Sequence, residues 1–139
     1  MKVSVRTLVR VIAPVALCFA AACSSDAATG ATTPPPTATG GWLTLQLVTP
    51  NFNDGAAQFS VRGPAIDSVK PVGYDGFATI ESGTANLVVT GLIGNGNVAQ
   101  VHVPDLTLAS EYQASIDAAA ARQTYVLQSL DGYRAVLVR

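Results

Sequence analysis

From Trp42 onward, apolar and polar side chains alternate with period two in segment after segment. That is the pattern of β-strands that bury one face and solvate the other. Leu43, Leu45 and Leu47 share one face, with Trp42, Thr44 and Gln46 on the other. Ala57, Phe59 and Val61 repeat the arrangement against Gln58, Ser60 and Arg62, and Ala99, Val101 and Val103 repeat it against Gln100 and His102. The stretch 111–118 alternates cleanly and predicts Tyr112, Ala114, Ile116 and Ala118 inward. Residues 85–90 are apolar at nearly every position, which suits a strand central in its sheet or covered on both faces. Shorter strands are predicted at 66–69 and 77–81.

Turn chemistry separates these segments. Asn53-Asp54-Gly55, Gly63-Pro64, Tyr74-Asp75-Gly76 and Asp131-Gly132 are strong chain-reversal signals. Gly94-Asn95-Gly96-Asn97 predicts a hairpin. Residues 118–130 read two ways. Their alanines suit a helix over 115–130. The unbroken alternation from Glu111 and the strand-like Tyr125-Val126-Leu127 favour a strand that runs into a short irregular turn. The last strand, 133–138, has apolar residues on both faces, so its register stays open.

Eight or nine short strands punctuated by Gly, Pro and Asn predict an all-β fold, an antiparallel β-sandwich over 42–139. The order of features resembles the cohesin-like β-sandwiches. It rests on the GAAQFSV strand that follows an acidic turn at Asp54, and on GNGNVAQVHV as a turn feeding a core strand. The resemblance implies a fold; the extended acidic strand segment common in cohesins is missing, and a fold by itself assigns no activity.

Ahead of the domain the pattern changes. Lys2, Arg6 and Arg10 are followed by an uncharged, mostly apolar run from Val11 to Ala22. That run is shorter than the roughly 20 apolar residues needed to span a bilayer. Basic start, apolar run and small residues form a secretory signal. Ala20-Ala21-Ala22-Cys23 resembles the lipobox of bacterial lipoproteins, with Ala in place of the usual Leu three residues before the cysteine. The resemblance implies a signal peptide over 1–22 and a lipid attached to Cys23; cleavage after the alanines as an ordinary signal is the rival reading. Cys18, the only other cysteine, lies inside the apolar run, so the mature chain has no disulfide partner for Cys23. Ser24 implies sorting to the outer membrane. Residues 23–41 are Pro-, Thr- and Ala-rich with no large apolar side chain and are expected to form a disordered tether. Extended, such a tether reaches roughly 50 Å from the lipid.

Charge narrows the choice of partners. From Cys23 on, five basic residues face nine acidic ones, a net charge of −4. With no basic patch, nucleic acid is not an expected partner. The membrane is contacted through the lipid anchor alone, since no polybasic segment is present.

Candidate chemistry is sparse. His102, the only histidine, falls on a polar strand face without a serine or cysteine nucleophile motif. Asn51, Asn53, Asp54 and Asp75 offer oxygens to a cation, but fewer than Ca²⁺ takes, and Asx-Gly pairs serve turns in any case. No metal or cofactor is expected. Asp67, Asp75, Glu81, Asp105, Glu111 and Asp117 include the residues for a carboxylate pair, if two stand at the right separation. Aromatic residues are the better lead. Trp42 is predicted off the core face, where it offers a sugar platform, a partner anchor or a lid, and Tyr74 beside the Asp75-Gly76 turn is the second candidate. Phe77 is expected in the core. The reading is a lipid-anchored cell-envelope protein of the outer membrane that is not an enzyme. Its sandwich is expected to bind an envelope protein or a glycan. A small secreted hydrolase using surface carboxylates and a purely structural surface module are the alternatives.

Overall fold

Leu43, Leu45 and Leu47 are fully buried while their neighbours face outward, and they lie on β1 (Gly41–Val48), one of the two inner strands of its sheet. The structure, a computed structural model, describes residues 37–139. The signal peptide expected over 1–22, the lipid attachment expected at Cys23 and the expected tether up to residue 36 lie outside the described residues.

The remaining elements are β2 (Asp54–Arg62), β3 (Ser68–Pro71), β4 (Asp75–Glu81), β5 (Thr84–Ile93), β6 (Gly96–Val103), a 3₁₀ turn (Leu106–Glu111), β7 (Gln113–Ala121) and β8 (Arg134–Val138). They form two four-stranded antiparallel sheets, β3-β6-β1-β8 and β4-β5-β2-β7. The sheets face each other across Leu45, Phe59, Leu87, Val89 and Val101, all without solvent exposure. The protein is thus an all-β sandwich. Its core is aliphatic, centred on the single fully buried ring of Phe59.

Several local expectations are corrected. The turn at 94–97 is not a hairpin: β5 lies in one sheet and β6 in the other. An Asn-Gly turn reverses the chain but does not decide which edge receives the next strand. β6 finds its partners in β1 and β3, and Asn95 Oδ1 accepts from Thr49 N at 2.7 Å instead of closing a ladder. The stretch 111–118 is interrupted at both ends. Glu111 ends the 3₁₀ turn capped by Asp105. In β7, Phe59 pairs with Ile116 and Gln58 with Ala118, so Asp117 is an extra, bulged residue. A bulge reverses the facing of everything beyond it. Ala118 therefore faces out, and Ala119 takes the core position. A similar shift in β6 buries Val98 beside Ala99.

Residues 118–121 are strand, not helix, and the chain then turns through 122–127 to a lone bridge between Ala120 and Leu127. β3 begins at Ser68, later than predicted, with Ile66 buried just before it. β8 resolves its ambiguity by pointing Ala135 and Leu137 at the core. Phe77 is 64% exposed on the outer face of β4; Ala78 is the inward residue there.

Strand directions sort the connections into two ends. Residues 37–40, the 3₁₀ turn and the last residues of β8 lie at one end. The connections 49–53, 72–74, 94–95 and 122–133 lie at the other.

Candidate functional site

The far end of the sandwich is organised by a buried carboxylate. Asp54 was expected in a turn; it opens β2 and has 0% exposure. A carboxylate out of water must be surrounded by donors. Here Thr49 Oγ1 donates at 3.0 Å, Gln128 Nε2 at 2.6 Å, and the Tyr133 hydroxyl stands 2.9 Å from both oxygens. Asn51 Nδ2 lies 2.6 Å from Gln128 Oε1 and 2.7 Å from the Tyr133 oxygen. Burial pushes the Tyr133 phenol above its ordinary pKa. Every group turned toward Asp54 is an N–H or O–H donor, which is the opposite of a cation site.

This network ties 49–53 to 122–133. Main-chain bonds extend it: Arg122 N to Asn53 O at 2.8 Å, Tyr125 N to Ala121 O at 2.9 Å, Ala121 N to Val126 O at 3.0 Å and Gln128 N to Ala119 O at 2.9 Å. Gly55 permits the close approach, since a Cβ there would stand 2.6 Å from Arg122 Cα. The turn is held in an uncommon shape. Gln123 and Tyr125 have φ of 75° and 52°, a region that side-chain-bearing residues seldom occupy. The result is that Tyr125, Val126 and Leu127 all point to solvent, 62%, 64% and 73% exposed. Phe52 is exposed on the adjoining connection and Leu92 near the end of β5.

The apolar surface continues onto the outer face of β4-β5-β2-β7. Leu127 borders a shallow hollow floored by Ala56, Ala118, Ala120 and Val88, and Phe77 is paired with Val88 beyond it. Sequence reasoning missed this surface. Tyr125-Val126-Leu127 read as a strand because three apolar residues in a row ordinarily seek a core, and the positive φ that turns them outward leaves no mark in a non-glycine sequence.

The predicted site residues fall in different places. Trp42 is 38% exposed on the outer face of the other sheet, as its parity requires. His102, its cross-strand partner, meets it edge-on at 4.9 Å between ring centres, and Lys70 Nζ stands 4.9 Å from the Trp42 ring. His102 Nδ1 lies 2.9 Å from Asp67 Oδ2. Tyr74 sits at the opposite end, partly buried against the core and close to Gly91. The structure therefore does not bring Trp42 and Tyr74 together.

The candidate carboxylates are scattered. Asp75 and Glu81 share the outer face of β4 but are six residues apart, about 20 Å along a strand. Asp117 is on β7, the opposite edge of the same sheet, about 14 Å across. Glycosidase pairs stand about 5–9.5 Å apart. Asp105 is held below its ordinary pKa by the Thr107 hydroxyl and by Thr107 N, as the cap of the 3₁₀ turn. Among the described residues no group of three or more His, Cys, Asp or Glu stands ready to hold a metal ion, and no helix is long and apolar enough to cross a membrane.

Comparison of the chain with protein-family models, with curated proteins and with solved structures finds no match.

Proposed function

We propose that this is a lipid-anchored cell-envelope protein whose β-sandwich is a non-catalytic binding module for a protein partner. The anchor follows from the basic start, the apolar run and the unpaired Cys23 after three alanines. The resemblance to cohesin-like sandwiches rests on sequence features alone and leaves the partner open.

One observation carries the binding role. Tyr125, Val126 and Leu127 are held outward by a positive-φ turn that is bonded down to the buried Asp54. Exposing three adjacent apolar side chains forfeits their burial energy, and strained backbone adds about 1–3 kcal/mol per residue. A fixed, apolar surface of this kind marks an interaction site.

A protein suits it better than a bilayer. The apolar residues frame a hollow with an alanine floor, which accepts a protruding side chain. The turn offers Arg122 as its only basic group, little for phospholipid headgroups. It also lies at the end of the domain away from residues 37–40, through which the chain arrives.

A photo-crosslinking amino acid placed at Leu127 of the full-length protein, expressed in its own envelope, tests this. A discrete protein adduct is expected, absent when the same probe replaces Glu111 at the other end and weakened by Tyr125→Ser. Adducts to lipid alone, or equal adducts from both positions, would overturn it.

A further inference from the structure

We infer that the outer face of β3-β6-β1-β8 is a binding site for a saccharide that carries a carboxylate, a uronic-acid glycan. This site is separate from the apolar loop end and does not depend on the role assigned to it.

The sheet face is laid out by register. Ser68, His102 and Trp42 lie in one row across β3, β6 and β1; Lys70, Gln100, Thr44 and Val138 lie in the next, now including β8. Gln46 follows, beside Asn97, with Nε2 donating to Asn97 Oδ1 at 2.9 Å. That bond leaves Gln46 Oε1 and Asn97 Nδ2 turned to solvent, one acceptor and one donor. The strip from Trp42 to Gln46 spans four residue steps, about 13 Å, which is the scale of a short oligosaccharide. An indole plate with amides spread along a flat, rigid sheet presents a ring face to C–H groups and paired polar groups to hydroxyls.

Charge selects the sugar. In residues 37–139 acids outnumber bases eight to five, yet none of the acids lies in the four strands of this sheet. Asp75, Glu81 and Asp117 belong to the other sheet. Lys70 and Arg134 point outward here, and Asp67, just ahead of β3, is engaged by His102. An anion is favoured on this side of an otherwise acidic domain.

Lys70 sharpens that choice. Its ammonium covers the Trp42 ring in the free protein. A sugar that stacks on the ring lifts the ammonium away and forfeits the cation–π contact. A carboxylate on the sugar gives the displaced ammonium a new partner; a neutral sugar does not. A sulfate would also give the ammonium a partner, so a sulfated oligomer belongs in the test beside the uronate.

Trp42 is the only tryptophan in the chain, so its emission reports the site directly. The full mature protein is titrated with a tetra-galacturonate, with the corresponding neutral tetra-galactose and with a sulfated galactose oligomer of equal length. Saturable change with the uronate is expected, with at least tenfold weaker binding of the neutral oligomer; tighter binding of the sulfated oligomer than of the uronate overturns the choice of a carboxylate. Lys70→Met is expected to bring the uronate down to the affinity of the neutral sugar while leaving the thermal midpoint within a few degrees. Isothermal titration of Trp42→Ala is expected to show loss of binding to all three. No response to any oligomer, or equal affinity for the neutral and acidic ones, overturns the inference. So does uronate binding that Lys70→Met leaves intact. Leu127 crosslinking in the same protein reports the loop end independently.

Discussion

Gln128 Nε2 stands 2.6 Å from Asp54 Oδ1, joining residues 74 positions apart in the chain. Asp54 opens the strand that crosses the core, and Gln128 follows directly on the exposed Tyr125-Val126-Leu127. The exposed surface is therefore tied to a carboxylate that is itself fully buried. Gln128→Ala removes one donor from a buried carboxylate, which costs about 1–3 kcal/mol because the acceptor stays desolvated. Urea denaturation is expected to show that loss. Amide exchange is expected to show faster opening at 122–128 than in β5 or β6. Uniform loss across all strands would mean that the bond serves the whole fold and not the turn.

Tyr133 couples the same network to alkaline pH. Burial raises its folded-state pKa above the ordinary value near 10. Below pH 10 the folded and unfolded chains both hold the proton, and the stabilisation is complete. Above it the unfolded chain releases the proton first, so stability falls as pH rises toward the folded value. Tyr133→Phe removes that dependence together with the hydroxyl that bonds Asp54. The variant is expected to be less stable than the wild type at pH 8, with the gap narrowing steadily as pH is raised past 10. A gap that stays constant over that range would place the alkaline sensitivity elsewhere.

Val101 and His102 are adjacent but belong to opposite faces of β6. Val101→Asp places a carboxylate in an aliphatic core with no donor, at a cost of several kcal/mol, a large fraction of the stability of a domain this size. His102→Ala removes a half-exposed ring and a surface pair with Asp67, worth about 0–1 kcal/mol. Thermal melts of the two variants are expected to differ by well over ten degrees. Comparable damage from both would indicate that the ring is needed for packing.

The lipid anchor gives a separate prediction. Cys23→Ser in the full precursor is expected to abolish fatty-acid labelling and to release the protein from sedimented membranes. A wild-type protein that is already unlabelled and soluble would remove the anchor from the proposal and leave the domain unaffected.

What the sequence made legible is what depends on neighbours along the chain. Leu43, Leu45 and Leu47 inward and Trp42 outward follow from parity alone, as does the placing of Val101 in the core. The errors arise where parity depends on another strand. Asp117 bulges because β2 pairs past it, and nothing in Ser115-Ile116-Asp117-Ala118 announces this. Asp54 read as a turn residue because its partners, Gln128 and Tyr133, are more than seventy residues away. Phe77 is expected in the core, whereas β4 is an edge strand whose inward position falls to Ala78. Tyr125 carried no signal at all, since its outward direction is set by backbone dihedrals and hydrogen bonds formed only in the folded chain.

The chain enters the sandwich at Gly41, and the exposed turn at Tyr125 lies at the other end. A pull between a fixed lipid and a bound partner would run along the strands. β1, which receives the pull first, is held by seven register pairs to β6 and five to β8. Force along a strand loads such bonds in shear, so many must break together, whereas a pull across the sheet would peel them one at a time. If the proposed anchor and partner hold the two ends, the domain would be loaded in the direction in which its strands best resist extension.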